Sequence, residues 1–323
     1  MHTPRFATVA MLLAATGAVL GARPFAWTCP SIATVSAVEP VFDDVELVRG
    51  FSRAVGGLAD GRATLDSAAV GERLVAAAGR SVAAPVPPEP PIAVEPAGRT
   101  IYEAVVPAVV ALGSVFKCST CNDWHVGNMA AGWIASPDGL VVTNHHVLER
   151  AAGHHLGVMT SDGGVLAVTD VVAADAARDT AVIRVDPRGR QLPHLGLGVA
   201  PGCGSSVTIV SHPKGRFFSL TKGVVSRYHR MRYGEHANRP ATDAAVPAPT
   251  WMTVTAEFAI GSSGGPVFDD GGRVVGMVSR TSPGGALSQG KPKEPSPGGE
   301  QMIFRECVPV ESLRSLFAAI PAP

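Results

Sequence analysis

From residue 100 onward the apolar positions fall in short runs rich in Val, Ile, Phe and Thr, separated by glycine-containing turns. These runs predict strands at Val105 to Val115, Gly132 to Ala135, Leu140 to Thr143, Val165 to Val172 and Ala181 to Val185. Further strands are predicted at Ser206 to Ser211, Gly223 to Tyr228, Trp251 to Thr255 and Arg273 to Ser279. That texture belongs to an all-β barrel or sandwich. Upstream the period changes. Val45, Leu47, Val48, Phe51 and Val55, then Leu65, Val70, Leu74 and Val75, recur at helical spacing around turn signals at Gly56-Gly57 and Asp60-Gly61. Between the two textures, Ser81 to Ala97 carries prolines at 85, 87, 88, 90, 91 and 96 and reads as an extended, semi-rigid linker. Val310 to Ile320 has a helical pattern again. His236 to Pro249 and Thr281 to Glu300 read as loops, and no solenoid or propeller period is present.

Composition narrows the class. Lys plus Arg (27) balances Asp plus Glu (27), a net charge of zero that argues against a phosphate-tracking, nucleic-acid-binding protein. With 46% hydrophobic residues the chain can build a sizeable core, which excludes a disordered or collagenous protein. Five cysteines are too few for a disulfide-framework miniprotein. Met1 to Arg5 is weakly basic, and the uncharged run Phe6 to Leu20 has the length of a signal-peptide core rather than a spanning helix. Cleavage after Ala22 or Ala26 and export to the periplasm or medium are expected, with a membrane tether if the signal stays uncleaved. No other run is long and apolar enough to span a bilayer.

Three short stretches carry candidate chemistry. Gly261-Ser262-Ser263-Gly264-Gly265-Pro266 lies between two predicted strands. A serine in such a turn can present its hydroxyl without neighbouring Cβ atoms, while the turn aims backbone N–H groups at one point, as an acyl-transfer oxyanion requires. Thr143-Asn144-His145-His146-Val147 follows the strand Leu140 to Val142, so a histidine opening a helical turn can be held rigidly at a cleft. Arg178-Asp179-Thr180-Ala181-Val182-Ile183 places an acid at the start of a buried strand, where it can accept an imidazole N–H and fix the tautomer. Taken singly, each has a plainer reading as a loop, a surface histidine pair or a turn cap. The order His, Asp, Ser within a β-rich region is what joins them.

With GLVVTNHHV, RDTAVIRV and GSSGGPVFDDGGRVVGMVS in that order, the chain resembles the trypsin-like, chymotrypsin-fold serine proteases. The motif texture is nearest to bacterial high-temperature-requirement proteases. The resemblance covers about Thr100 to Ile320. It implies a double six-stranded antiparallel β-barrel with a C-terminal helix, preceded by a short helical and Pro-rich arm. The expected organisation is a signal peptide at 1–26, a helical segment at 27–80, a linker at 81–98 and a protease domain at 99–323. It also implies His146 as general base, Asp179 as its orienter, Ser263 as nucleophile, and the N–H groups of Gly261 and Ser263 as the oxyanion hole. Protein or peptide substrates are expected, and no cofactor. Ser262 stands where digestive proteases carry an aspartate that pairs with a new N-terminus, so activation by that ion pair is not expected. The PDZ domains usual in those bacterial proteases are not expected within this sequence, which runs to Pro323. Glu257, six residues before Ser263, sits where an S1 carboxylate would select Lys or Arg. Its competing reading is an internal pair with Arg280. A catalytically silent binding or scaffold protein on the same fold is the alternative function.

Cys118-Ser119-Thr120-Cys121, followed by His125, admits a local disulfide, a zinc site or a redox dithiol. Export favours the disulfide. Zinc needs a fourth ligand, with His154, Cys203 and Cys307 as candidates, and a redox dithiol lacks its βαβ context. Cys203 and Cys307 form a further candidate pair.

Overall fold

The computed structural model describes residues 41–66, 68–82, 100–231, 247–283 and 302–317. The predicted signal segment, nearly all of the Pro-rich linker and most of the two long loops lie outside the described residues. Helix α1 spans Asp44–Asp60 and α2 spans Ala69–Ala76. After α3 (Ile101–Val105) come β1 (Val109–Lys117), β2 (Trp124–Ile134) and β3 (Leu140–Thr143), then α4 (His145–Arg150). Next are β4 (His155–Met159), β5 (Val165–Asp175) and β6 (Thr180–Val185). The second half holds β7 (Ser206–Ser211), β8 (Ser219–Arg230), β9 (Thr250–Val254), β10 (Pro266–Phe268), β11 (Val274–Pro283), β12 (Ile303–Pro309) and α5 (Val310–Arg314). Two closed, antiparallel, six-stranded barrels result, in the orders β1-β2-β3-β6-β5-β4 and β10-β11-β12-β9-β8-β7. This is the chymotrypsin-like double barrel. No helix among the described residues is long and apolar enough to cross a membrane.

Period-two alternation fills both barrels. Val110 and Leu112 of β1 join Ile134, Leu156, Leu166 and Ile183 inside the first barrel. Val207 and Ile209 of β7 join Met252, Val267 and Cys307 inside the second. The opposite faces of the same strands meet in a third cluster containing Trp133, Val142, Val210, Phe217, Phe218 and Phe268. Closing two barrels against each other therefore buries strands on both faces. This explains why β1 reads as an unbroken apolar run rather than an alternating one.

Helix α1 covers the outer face of the first barrel. Asp43 caps it by accepting from the amides of Val45 (3.1 Å) and Glu46 (3.0 Å), and Phe51 and Val55 are its buried face. Their seat is a flat patch where Gly113 of β1 pairs with Gly157 of β4. A Cβ on Gly113 would lie 2.6 Å from the Phe51 ring, and one on Gly157 would collide with the Val55 methyls. The helical period predicted for this segment is thus the half of a contact whose other half is two glycines. The predicted strand from Val105 begins instead at Val109. Thr100 and Glu103 form a reciprocal capping box that turns Ile101–Val105 into a helix, overriding the β-branched run. Strands β4, β10 and β12 were not expected from the apolar pattern. Filling the α1 seat with Gly157→Leu should lower the free energy of unfolding by about 1–3 kcal/mol, measured by urea denaturation. An unchanged midpoint would mean that α1 does not depend on this patch.

Candidate active site

The site lies where the two barrels meet, and each of its side chains is placed by the end of a strand. Strand β3 ends at Thr143, whose hydroxyl donates to the Ala131 carbonyl (2.9 Å) and ties the strand end to β2. Asn144 stands at the N-terminal boundary of α4, and its Nδ2 donates to the Asp179 backbone carbonyl (2.9 Å). His146, in the first turn of α4, is buried at 5% exposure. Asp179 is fully buried on the tight β5–β6 turn, with a left-handed φ of +55°. That conformation is uncommon outside glycine, and it turns the carboxylate inward. The carboxylate accepts the His146 backbone N–H at 3.1 Å and lies 2.9 Å from His146 Nδ1. A third bond arrives from the second barrel, where the Ser279 hydroxyl of β11 donates to Asp179 at 2.6 Å. A buried carboxylate needs such a set of donors to offset its lost hydration.

Ser263 lies across the cleft. Its hydroxyl donates to the Ser279 carbonyl (3.1 Å), and its own carbonyl accepts from the Ala131 amide (2.7 Å), which anchors the turn to the first barrel. Within that turn the amides of Ser262, Gly264 and Gly265 are bonded to the carbonyls of Ala259, Val278 and Ser262. Among the described residues the amides of Gly261 and Ser263 donate to no group. Gly261 has φ +96°, and a Cβ there would strike the His212 carbonyl, so glycine is required. Ser262 is fully buried, and its hydroxyl accepts from Ser211 (3.0 Å). A neutral hydrogen bond thus occupies the place of the ion pair found in digestive enzymes.

A cleft of about 190 Å³ opens beside these groups, lined by His146, Ser263 and Ser279 together with Phe258, Val278 and Arg280. Glu257 is not among its lining residues. Its side chain is 72% exposed and pairs with Arg305. The alternative pairing with Arg280 is also not formed. Arg280 binds the buried Glu306 (2.6 Å) and lies over the Trp251 ring. Cys118, Cys121, Cys203 and Cys307 are all free thiols, so neither disulfide expected from the sequence is formed. Sequence reasoning missed Ser279. The available signal was a serine directly after the apolar run Val274 to Val278 in the strand that follows the glycine turn.

His212, fully buried just after β7, braces the same turn from behind. Its Nδ1 accepts from the Phe218 amide and its Nε2 donates to the Val110 carbonyl, both at 3.0 Å. Burial lowers its pKa from 6.5 to about 4. Between those values the unfolded chain binds a proton that the folded chain refuses. The stabilisation is therefore complete above pH 6.5 and drains away as pH falls toward 4.

Two barrels closing over a cleft that holds a histidine–carboxylate pair, a serine and two unengaged amides define a chymotrypsin-like peptidase fold. Residues 130–277 match the family model of the trypsin-like peptidase domain. It is 33% identical over 158 residues to the "Probable periplasmic serine endoprotease DegP-like" of Pseudomonas savastanoi pv. phaseolicola, covering 47% of this chain and 29% of that protein. Similarity to "Protease Do-like 1, chloroplastic" of Arabidopsis thaliana is 30% over 161 residues, 49% of this chain and 34% of that one. Similarity to the "Magnetosome formation protease MamE" of Magnetospirillum gryphiswaldense is 28% over 168 residues, 50% of this chain and 20% of that one. The chain thus spans about a third or less of the length of these relatives.

The His212 linkage makes a direct prediction. From pH 7 to 4.5 the free energy of unfolding should fall by about 2 kcal/mol on this account, measured by denaturant titration at each pH. Stability that stays level over that window would contradict a buried, neutral His212.

Proposed function

We propose that this protein is an exported serine endopeptidase, with His146 as general base, Asp179 as its orienter and Ser263 as nucleophile. The observation that carries the reading is the His146–Asp179 pair, buried and 2.9 Å apart, in one cleft with Ser263. Asp179 fixes the proton on His146 Nδ1, which leaves Nε2 as the base that takes the Ser263 proton. The hydroxyl now donates to the Ser279 carbonyl, so rotation about the serine side chain precedes that transfer. The Ser263 oxygen then bonds to the peptide carbonyl carbon, and the carbonyl π electrons move onto oxygen. The resulting oxyanion is received by the amides of Gly261 and Ser263. Collapse expels the amine, protonated by His146, and leaves an acyl-enzyme. Water, deprotonated by the same imidazole, releases the acid. The relatives, probable periplasmic serine endoproteases among them, support both the reaction class and export.

The buried Phe258 and Val278 beside Ser263 favour an apolar side chain at the cleaved position. The Glu257 carboxylate, neutralised by Arg305 at the surface, is not placed to select a cation. A second reading, a binding protein on the peptidase fold, rests on the present orientation of the Ser263 hydroxyl toward Ser279. Casein cleavage that disappears in Ser263→Ala excludes it.

Cleavage of a peptide library should be lost in Ser263→Ala. In Asp179→Asn, kcat should fall by about 10⁴-fold, because the asparagine amide enforces the wrong tautomer. Near-normal turnover in Asp179→Asn would remove Asp179 from the mechanism. In the same library, Glu257→Ala should leave the preference at the cleaved position unchanged. A selective loss of cleavage after Lys and Arg would instead restore Glu257 as the specificity residue.

A further inference from the structure

The β1–β2 hairpin carries a second cluster, distinct from the cleft. Strand β1 ends at Lys117 and β2 starts at Trp124. The turn between them is closed by the Cys118 amide on the Asp123 carbonyl (2.9 Å) and the Asn122 amide on the Cys118 carbonyl (3.0 Å). Asn122 takes the left-handed conformation (φ +60°) that lets the chain double back. This turn brings both cysteine side chains to the same side as His125, whose Nε2 lies 3.0 Å from Cys121 Sγ. One donor atom from each of Cys118, Cys121 and His125 lies within 4.8 Å of the others.

We propose that Cys118, Cys121 and His125 bind a zinc ion, with the fourth coordination position left to solvent. A tetrahedral ion with Zn–S near ~2.3 Å and Zn–N near ~2.0 Å holds its ligand atoms about 3.5–4 Å apart. The Cys121–His125 pair, at 3.0 Å, thus needs to open by about 0.5 Å, and the other two separations, both within 4.8 Å, need to close by about 1.3 Å at most. Two sulfurs and one imidazole are the donor set that suits zinc rather than magnesium or calcium. The Thr120 amide points at Cys118 Sγ (3.4 Å), a contact that favours an anionic, metal-ligating sulfur over a neutral one. The His125 ring is held by stacking on Phe116, its cross-strand partner, at 5.9 Å and 27°. Cys121 and His125 are exposed and Cys118 partly so, which leaves an entry path for the ion.

The site has a structural consequence. The residue just before His125, Trp124, is a main anchor of α1. Its indole N–H donates to Asp60 (3.2 Å), its carbonyl accepts from the Ser52 hydroxyl (2.6 Å), and its ring lies against Gly56. An ion fixing the hairpin tip therefore also fixes the clamp on α1.

The test uses the full chain, purified reduced and metal-free, and titrated with Co2+ as a spectroscopic probe. One equivalent should give thiolate-to-cobalt charge transfer and tetrahedral d–d bands, both displaced by Zn2+. Zinc should also protect two thiols from a thiol reagent and raise the melting temperature. Cys118→Ser and His125→Ala should each lose the cobalt spectrum and the zinc-dependent melting shift, whereas Cys203→Ser should keep both. The proposal fails if no tetrahedral cobalt spectrum appears in the reduced chain, or if the signal survives Cys118→Ser. It also fails if His125→Ala binds cobalt like the wild type. A chain isolated as a Cys118–Cys121 disulfide whose reduction yields no cobalt binding overturns it in favour of the disulfide. Folding of each variant is checked by circular dichroism. The exposure of His125 and the partial exposure of Cys118 keep the core out of the comparison.

Discussion

The Asp179 carboxylate is the constraint on which the rest of the site depends. It is fully buried, so its charge must be matched by donors, and these come from both halves of the molecule. His146 supplies a backbone and a ring nitrogen from the first barrel, and Ser279 supplies a hydroxyl from the second. Any displacement of one barrel relative to the other would strand a charge in an apolar interior. Breaking such a network costs several kcal/mol, which is more than most surface contacts can contribute. The arrangement that the proposed mechanism uses is therefore also a registration device for the barrels. The left-handed turn at Asp179 is the local strain that the network holds in place.

Around that pair, other contacts cross between the barrels. His212 sits behind the Gly261 turn, takes the Phe218 amide and gives a hydrogen bond to β1 of the first barrel. The Ser263 carbonyl reaches the Ala131 amide of β2. The serine turn is thus gripped on both sides, which suits the proposed role of its two free amides, since these must not reorganise during reaction. Farther out, α1 extends this bracing, since Asp44 Oδ1 accepts the Phe217 amide in the β7–β8 connection (3.1 Å). A helix preceding the barrels in sequence thus touches the segment that carries His212.

Much of this was legible in the chain itself. Strands β3 and β7 have the expected limits, because both are short apolar runs between strong turn signals. The positions of His146, Asp179 and Ser263 follow from three motifs in order, and the fold brings all three to the barrel interface. What was not legible depends on partners distant in sequence. Gly157, in the middle of β4, weakens the strand pattern locally, and its reason is Val55 of α1. Strand β12 begins with the exposed Ile303 and the half-buried Phe304 and Arg305, and only its second half is fully buried. The alternation there is too brief to stand out after a Gly/Pro-rich stretch. Glu257 illustrates a register limit: counting residues back from Ser263 sets sequence distance, but the chain turns its carboxylate to Arg305 and leaves Phe258 at the cleft. Ser279 escaped notice because a lone serine within a strand has no pattern of its own.

The most direct test of the account is a crystal structure of the chain after treatment with a fluorophosphonate. The account predicts a phosphorus atom bonded to Ser263 Oγ. The phosphoryl oxygen should accept hydrogen bonds from the amides of Gly261 and Ser263, with His146 Nε2 facing the adduct and Nδ1 still on Asp179. An unmodified Ser263, or an adduct whose oxygen points away from those amides, would contradict it.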